Sequence, residues 1–156
     1  KTIKIWILAL LITGCTSMCD TPHADMNPEE VVESYLSIAF NMDHVDQMQS
    51  LIEFTSGNLK QTLAAADAKK INEVFINKKY DLKRFSIVER RNRTPREVEI
   101  TYELAYNELE SGPEDALVTA ENTLNLIRQK GAWYITDVIG GSTTIDFQTP
   151  SVITVK

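Results

Sequence analysis

The sequence predicts an α+β domain with helices packed on an antiparallel sheet, and three observations carry that expectation. From Pro28 to about Asn77 the apolar residues recur every three or four positions, the period of a helix with one buried face. After Tyr80 the period falls to two, the period of half-buried strands. Short turn signals such as Lys130-Gly131 separate those strands, so they follow one another as a meander rather than through helical crossovers.

Each element has its own warrant. Asn27-Pro28-Glu29-Glu30 supplies an N-cap, a proline at the first helical position and a capping-box glutamate. The helix it opens is expected to run to about Asn41 and to bury Val31, Val32, Tyr35, Leu36, Ala39 and Phe40. Asp43 is expected to cap a second, short helix with Val45, Met48, Leu51 and Ile52 inward, ending near Thr55-Ser56-Gly57. A third helix is expected over Leu59 to about Asn77, carried by Leu63, Ala66, Ile71, Val74 and Phe75.

Phe85, Ile87 and Val88 mark a first strand, and Val98, Ile100, Tyr102, Leu104 and Tyr106 alternate with polar neighbours in a second. Glu110 to Glu114 breaks the pattern, Ala116 to Gln129 resumes it, and Ala132 to Val138 follows with Trp133, Ile135 and Val138 in the core. Gly140-Gly141-Ser142 reads as a plain turn in preference to an anion-binding nest, since no helix follows it. The tail Thr143 to Val155 is β-prone; Pro150 confines it to an edge or a bend, where it completes the sheet or offers an edge to a partner.

Of 156 residues, 43% are apolar and 24% charged, the profile of one ordinary globular domain. Acidic residues outnumber basic ones 22 to 16, and removal of a segment holding Lys1 and Lys4 moves the balance from −6 to −8. Such a chain lacks the surplus of cations a nucleic-acid binder needs. Cations at Lys1 and Lys4 precede an unbroken apolar run from Ile5 to Ile12. Eight residues span ~12 Å of helix, too short for a ~30 Å hydrocarbon core, so the run reads as the apolar region of a signal peptide.

The box Ile12-Thr13-Gly14-Cys15 resembles a bacterial lipoprotein signal. The resemblance implies that the Cys15 sulfur is diacylglycerylated and that the chain is cut before it. Two or three acyl chains suffice for stable anchoring. Residues 1–14 are then the signal, 15–27 a lipidated tether and 28–156 the single folded domain. Thr16, where Asp marks inner-membrane retention in enteric-type bacteria, points to the periplasmic face of the outer membrane. Cys15, Cys19 and His23 make a poor metal cage with one sulfur alkylated, so no metal and no cofactor is expected.

The opening helices and the terminal pair NLIRQKGAWYITDV, Asn125 to Val138, resemble the NTF2-like superfamily, with its curved sheet wrapped into a cone. The layout covers Pro28 to about Gly140; the helix-rich stretch before Tyr80 and the tail are departures. The resemblance implies a cone lined by residues such as Tyr35, Phe40, Tyr102 and Trp133. Enzymatic members use an Asp or His base with Tyr or a protonated Asp, but no spacing here identifies an acid-base pair. No nucleophile triad or phosphate loop is visible either. His44, just after a helix cap, reads as a solvated first-turn residue.

Eight basic residues lie between Lys78 and Arg96, against Asp81 and Glu89. Lys83, Arg84, Arg90, Arg91 and Arg93 are the candidate patch for anionic headgroups or an acidic partner. The competing reading pairs them across strands with Glu97, Glu99 and Glu103. The expectation is a non-catalytic, lipid-anchored envelope protein that binds a small apolar ligand or another envelope protein. The alternatives are an isomerase- or dehydratase-like enzyme and a structural accessory that recruits a complex.

Overall fold

A computed structural model of the protein describes residues 23–78, 80–109 and 116–147. Cys15, Cys19 and the last nine residues of the chain lie outside these. The chain forms helices first and then four antiparallel strands, each paired with the next in the chain, the α+β layout expected from the sequence. No helix among the described residues is long and apolar enough to cross a membrane.

Helix α1, Pro28–Phe40, starts as its punctuation dictates. The Asn27 side chain accepts from the Glu30 N–H at 3.0 Å, and the Glu30 carboxylate accepts from the Asn27 N–H at 2.8 Å. A single 3₁₀ turn, Val45–Gln47, leads into α2, Met48–Glu53. Asp43 does not cap it with its side chain; instead the Gln47 side-chain Oε1 accepts from the backbone N–H groups of Asp43 and His44, at 2.7 and 3.0 Å.

The single third helix expected over Leu59 to Asn77 is three pieces: α3, Gly57–Ala64; α4, Ala68–Ile71; and a π-turn, Asn72–Ile76. The Asp67 carboxylate caps the Lys70 N–H at 2.8 Å, so a new helix begins within a continuous apolar period. The wide π-turn half-buries Phe75 and Ile76 but leaves Val74 51% exposed, against the sequence reading.

The strands are β1, Tyr80–Thr94; β2, Glu97–Glu108; β3, Ala116–Gln129; and β4, Ala132–Phe147. Lys130 and Gly131 adopt φ of 50° and 92°, so β3 and β4 join through a two-residue turn whose twist matches the sheet. Register shifts at Lys83, Val88 and Arg93 interrupt β1, and each extra residue bends the strand. One of them turns Val88 outward.

Two corrections concern β4. Gly140-Gly141-Ser142 is no turn but part of the strand. Gly141 and Ser142 stand opposite Glu121 alone, a bulge between the pairs Gly140↔Asn122 and Thr143↔Ala120. A Cβ on Gly141 would lie 2.0 Å from the Glu121 carbonyl oxygen, so glycine permits this approach. The residues from Thr143 to Phe147 therefore complete the sheet by extending β4. Val138, expected in the core, is 40% exposed because a second shift near Thr136 precedes it.

The core lies between the helices and one sheet face. Val31, Val32, Tyr35 and Leu36 of α1 and Leu51 and Ile52 of α2 meet Val98, Ile100 and Tyr102 of β2, Leu124 and Leu126 of β3, and Trp133 and Ile135 of β4. His23, assigned to the tether, also belongs to the folded body. Its ring stacks on Phe54 at 4.8 Å, meets Tyr134 edge-on at 4.9 Å and is 1% exposed.

Candidate functional site

Three surfaces hold the sequence-predicted residues, and the register of the sheet decides what each one offers. The first is the tyrosine row between α1 and the sheet. Tyr35 and Tyr102 are buried neighbours, and burial, reinforced by mutual proximity to other phenols, pushes both up to about 12. Tyr80 lies beyond Tyr102 and meets Tyr106 at 5.5 Å and Phe40 at 6.1 Å. Phe40 is half-buried and lines a cleft of about 240 Å³ with Lys78, Tyr80 and Asp81.

Trp133, grouped with these residues by the sequence, belongs to the same buried cluster as Tyr35 and Tyr102. It lies at the β3–β4 turn with the Arg128 guanidinium 6.0 Å from its ring. Lys78 donates from Nζ to the Phe40 carbonyl, satisfying the C-terminal end of α1 where the helix dipole favours a cation. Burial lowers its pKa, and the Asp43 carboxylate opposes the shift.

The second surface is the cationic strand β1. Lys83 pairs with Asp81 and Arg84 with Glu103 at 3.1 Å. Arg91 pairs with Glu89 at 3.1 Å, and Arg93 with Glu99 at 2.8 Å. The hydrogen bond from Arg93 holds the Glu99 carboxyl below its ordinary value. Arg90 points to the helix side and donates from one nitrogen to both oxygens of Glu29, at 2.8 and 3.0 Å. Every member of the sequence-predicted patch thus meets a carboxylate, and three of them, Arg84, Arg91 and Arg93, do so across the β1–β2 pairing as the pairing reading expects.

The third surface was reached by sequence only as a tail offering an edge. Strand β4 closes the sheet, and its outer side is met at Ile135, where Ser56 donates to the Ile135 carbonyl and Ile135 to the Phe54 carbonyl, both at 2.9 Å. From Val138 to Thr144 the strand is uncharged and exposed, with Val138 40% and Ile139 46% accessible. The two edges differ in chemistry: β1 carries charges and three irregularities, the devices that blunt an edge, whereas β4 carries no charge between Asp137 and Asp146.

Acid-base groups do not converge among the described residues. Asp137 is exposed, and its carboxylate accepts from the Val138 N–H at 2.9 Å. The His23 nitrogens have no hydrogen-bond partner among the described residues, and burial lowers its pKa against a weaker opposing pull from Glu53. No group of three metal-ligating side chains occurs among the described residues.

No protein-family model matches the chain. No curated protein matches it either. Among solved structures, the chain is similar to the VirB8 protein of Agrobacterium tumefaciens, at 13% identity and a TM-score of 0.47, over 78% of this chain and 92% of that one.

Proposed function

We propose that this chain is a lipid-anchored protein of the bacterial envelope that holds another envelope protein and catalyses no reaction. The anchor is Cys15, placed by the lipobox reading at the start of the mature chain on the periplasmic face of the outer membrane. The observation that carries the binding role is the uncharged outer edge of β4 from Val138 to Thr144. An extended segment of a partner adds there as a further strand: its backbone supplies affinity, and side chains beside Val138 and Ile139 supply selectivity.

The cone-binding alternative has one supporting feature, the half-buried Phe40 in its cleft with Tyr80. Catalysis has less support, because Tyr35 and Tyr102 stay neutral phenols until about pH 12 and no base faces them among the described residues. Photo-cross-linking in native membranes tests the edge. A cross-linker at Ile139 is expected to trap a discrete partner that one at Thr101, on the outer sheet face, does not. A lysine at Val138 is expected to abolish the product. Equal trapping from both positions refutes the edge, and undiminished membrane association of Cys15→Ala refutes the anchor.

A further inference from the structure

The β1–β2 and β3–β4 turns lie side by side at one end of the sheet, where the Arg128 N–H donates to the Arg96 carbonyl at 2.8 Å and joins the two hairpins. Between them is an open cleft of about 670 Å³ to which Arg96, Arg128 and Lys130 contribute and no carboxylate does. These three cations are exposed, and among the described residues none is ion-paired. Glu29, Glu89 and Glu99 are engaged by Arg90, Arg91 and Arg93, and Glu53, which faces His23, does not line the cleft. Glu97 lines a separate cleft with Arg93 on the outer face of the sheet.

Arg128 is held in place rather than left to wander. Its Nε donates to the Gly131 carbonyl at 3.3 Å and its guanidinium lies over Trp133. The first described residue also lies at this end. His23 packs on Tyr134, three residues past Gly131, which is ~10 Å along the strand. Eight residues, Cys15 to Pro22, join the acyl site to His23. Fully extended they span ~28 Å, which bounds how far this end stands from the bilayer.

We infer that this end of the sheet is the membrane-facing surface, with Arg96, Arg128 and Lys130 contacting the phosphates of anionic phospholipid headgroups. The inference rests on the anchoring proposed above and adds the orientation of the domain. Its cations are not the ones a reading of charge density selects: the dense run on β1 is neutralised by its neighbours, and the uncommitted charges come from two separate turns.

The test uses the mature chain in vesicles of pure phosphatidylcholine or pure phosphatidylglycerol, with the mass of its N-terminal peptide reporting acylation of Cys15. Amide hydrogen exchange at both turns is expected to be slower on phosphatidylglycerol and to revert in high salt, which screens the headgroups. The variant Arg96→Gln/Arg128→Gln/Lys130→Asn is expected to lose that difference; Asn suits the positive φ at position 130. For the same mature chain made without acyl groups, three cations at about fivefold each predict partition ~100-fold stronger on phosphatidylglycerol. An acylated Cys15 with identical exchange on both lipids overturns the inference and leaves the anchor standing. An unacylated Cys15 overturns both.

Discussion

Gly140 and Gly141 are adjacent, identical in chemistry and opposite in surroundings, so alanine at each tests the β4 bulge. A Cβ at Gly141 would stand 2.0 Å from the Glu121 carbonyl oxygen and 2.8 Å from its carbonyl carbon, whereas nothing lies within 4 Å of one at Gly140. Ordinary carbon–oxygen contact is ~3.3 Å, so Gly141→Ala must drive two hydrogen-bonded strands more than 1 Å apart locally. Overpacking of that kind costs about 2–4 kcal/mol, here without a flexible side chain to yield. Gly140→Ala costs nothing sterically and restricts the unfolded chain, stabilising by about 0.5 kcal/mol. Urea unfolding with unchanged m-values is expected to separate the two variants by about 3 kcal/mol. If their midpoints coincide, the bulge is not where the register places it.

Burial holds the His23 pKa below its ordinary value, so the folded state prefers the neutral ring. The unfolded chain then binds the proton first, and stability is full above pH ~6.5 and falls as pH drops toward the folded value. His23→Phe keeps the stacking on Phe54 and is expected to remove that slope in denaturant titrations at pH 7.5 and 5.5. Tyr35 and Tyr102 shift the other way: ionisation of the unfolded chain near pH 10 erodes stability up to about 12. Absorbance titration at 295 nm is expected to show two phenols ionising only in that late step, and a single transition near 10 would refute the tyrosine row. Ile135→Ala, at a fully buried position, is expected to cost about 3–4 kcal/mol in urea unfolding. Asn27→Ala removes the capping box of α1, and the same measurement is expected to show a loss of about 1 kcal/mol.

What the sequence made legible follows from how local each cause is. Helix α1 was readable because its cap, its proline and its apolar period agree within a few residues. Strands β2 and β3 were readable by alternation until Leu104, after which Ala105 rather than Leu104 is buried, next to a register shift in β1. The break between α3 and α4 carried no glycine or proline, only the Asp67 cap, which a continuing apolar period concealed. Gly140-Gly141 misled because a bulge and a turn ask for the same residue. His23 had no local signal, since its partners Phe54 and Tyr134 lie far along the chain. The same distance hid Arg90–Glu29 and kept Arg96 separate from Arg128 until the register joined them.

The order of strands in the sheet repeats their order in the chain, and this bears on how the protein folds. Two of the three strand pairings close through two-residue turns, so β1–β2 and β3–β4 need only small loop-closure losses and can zip independently. The remote contacts are those of the helices with the sheet, α3 with β4 and α1 with β2 and β4. That docking is the expensive search. Substitutions of Val31 or Ile100 should therefore slow refolding, while those at the distal end of β4, formed after the barrier, should chiefly hasten unfolding.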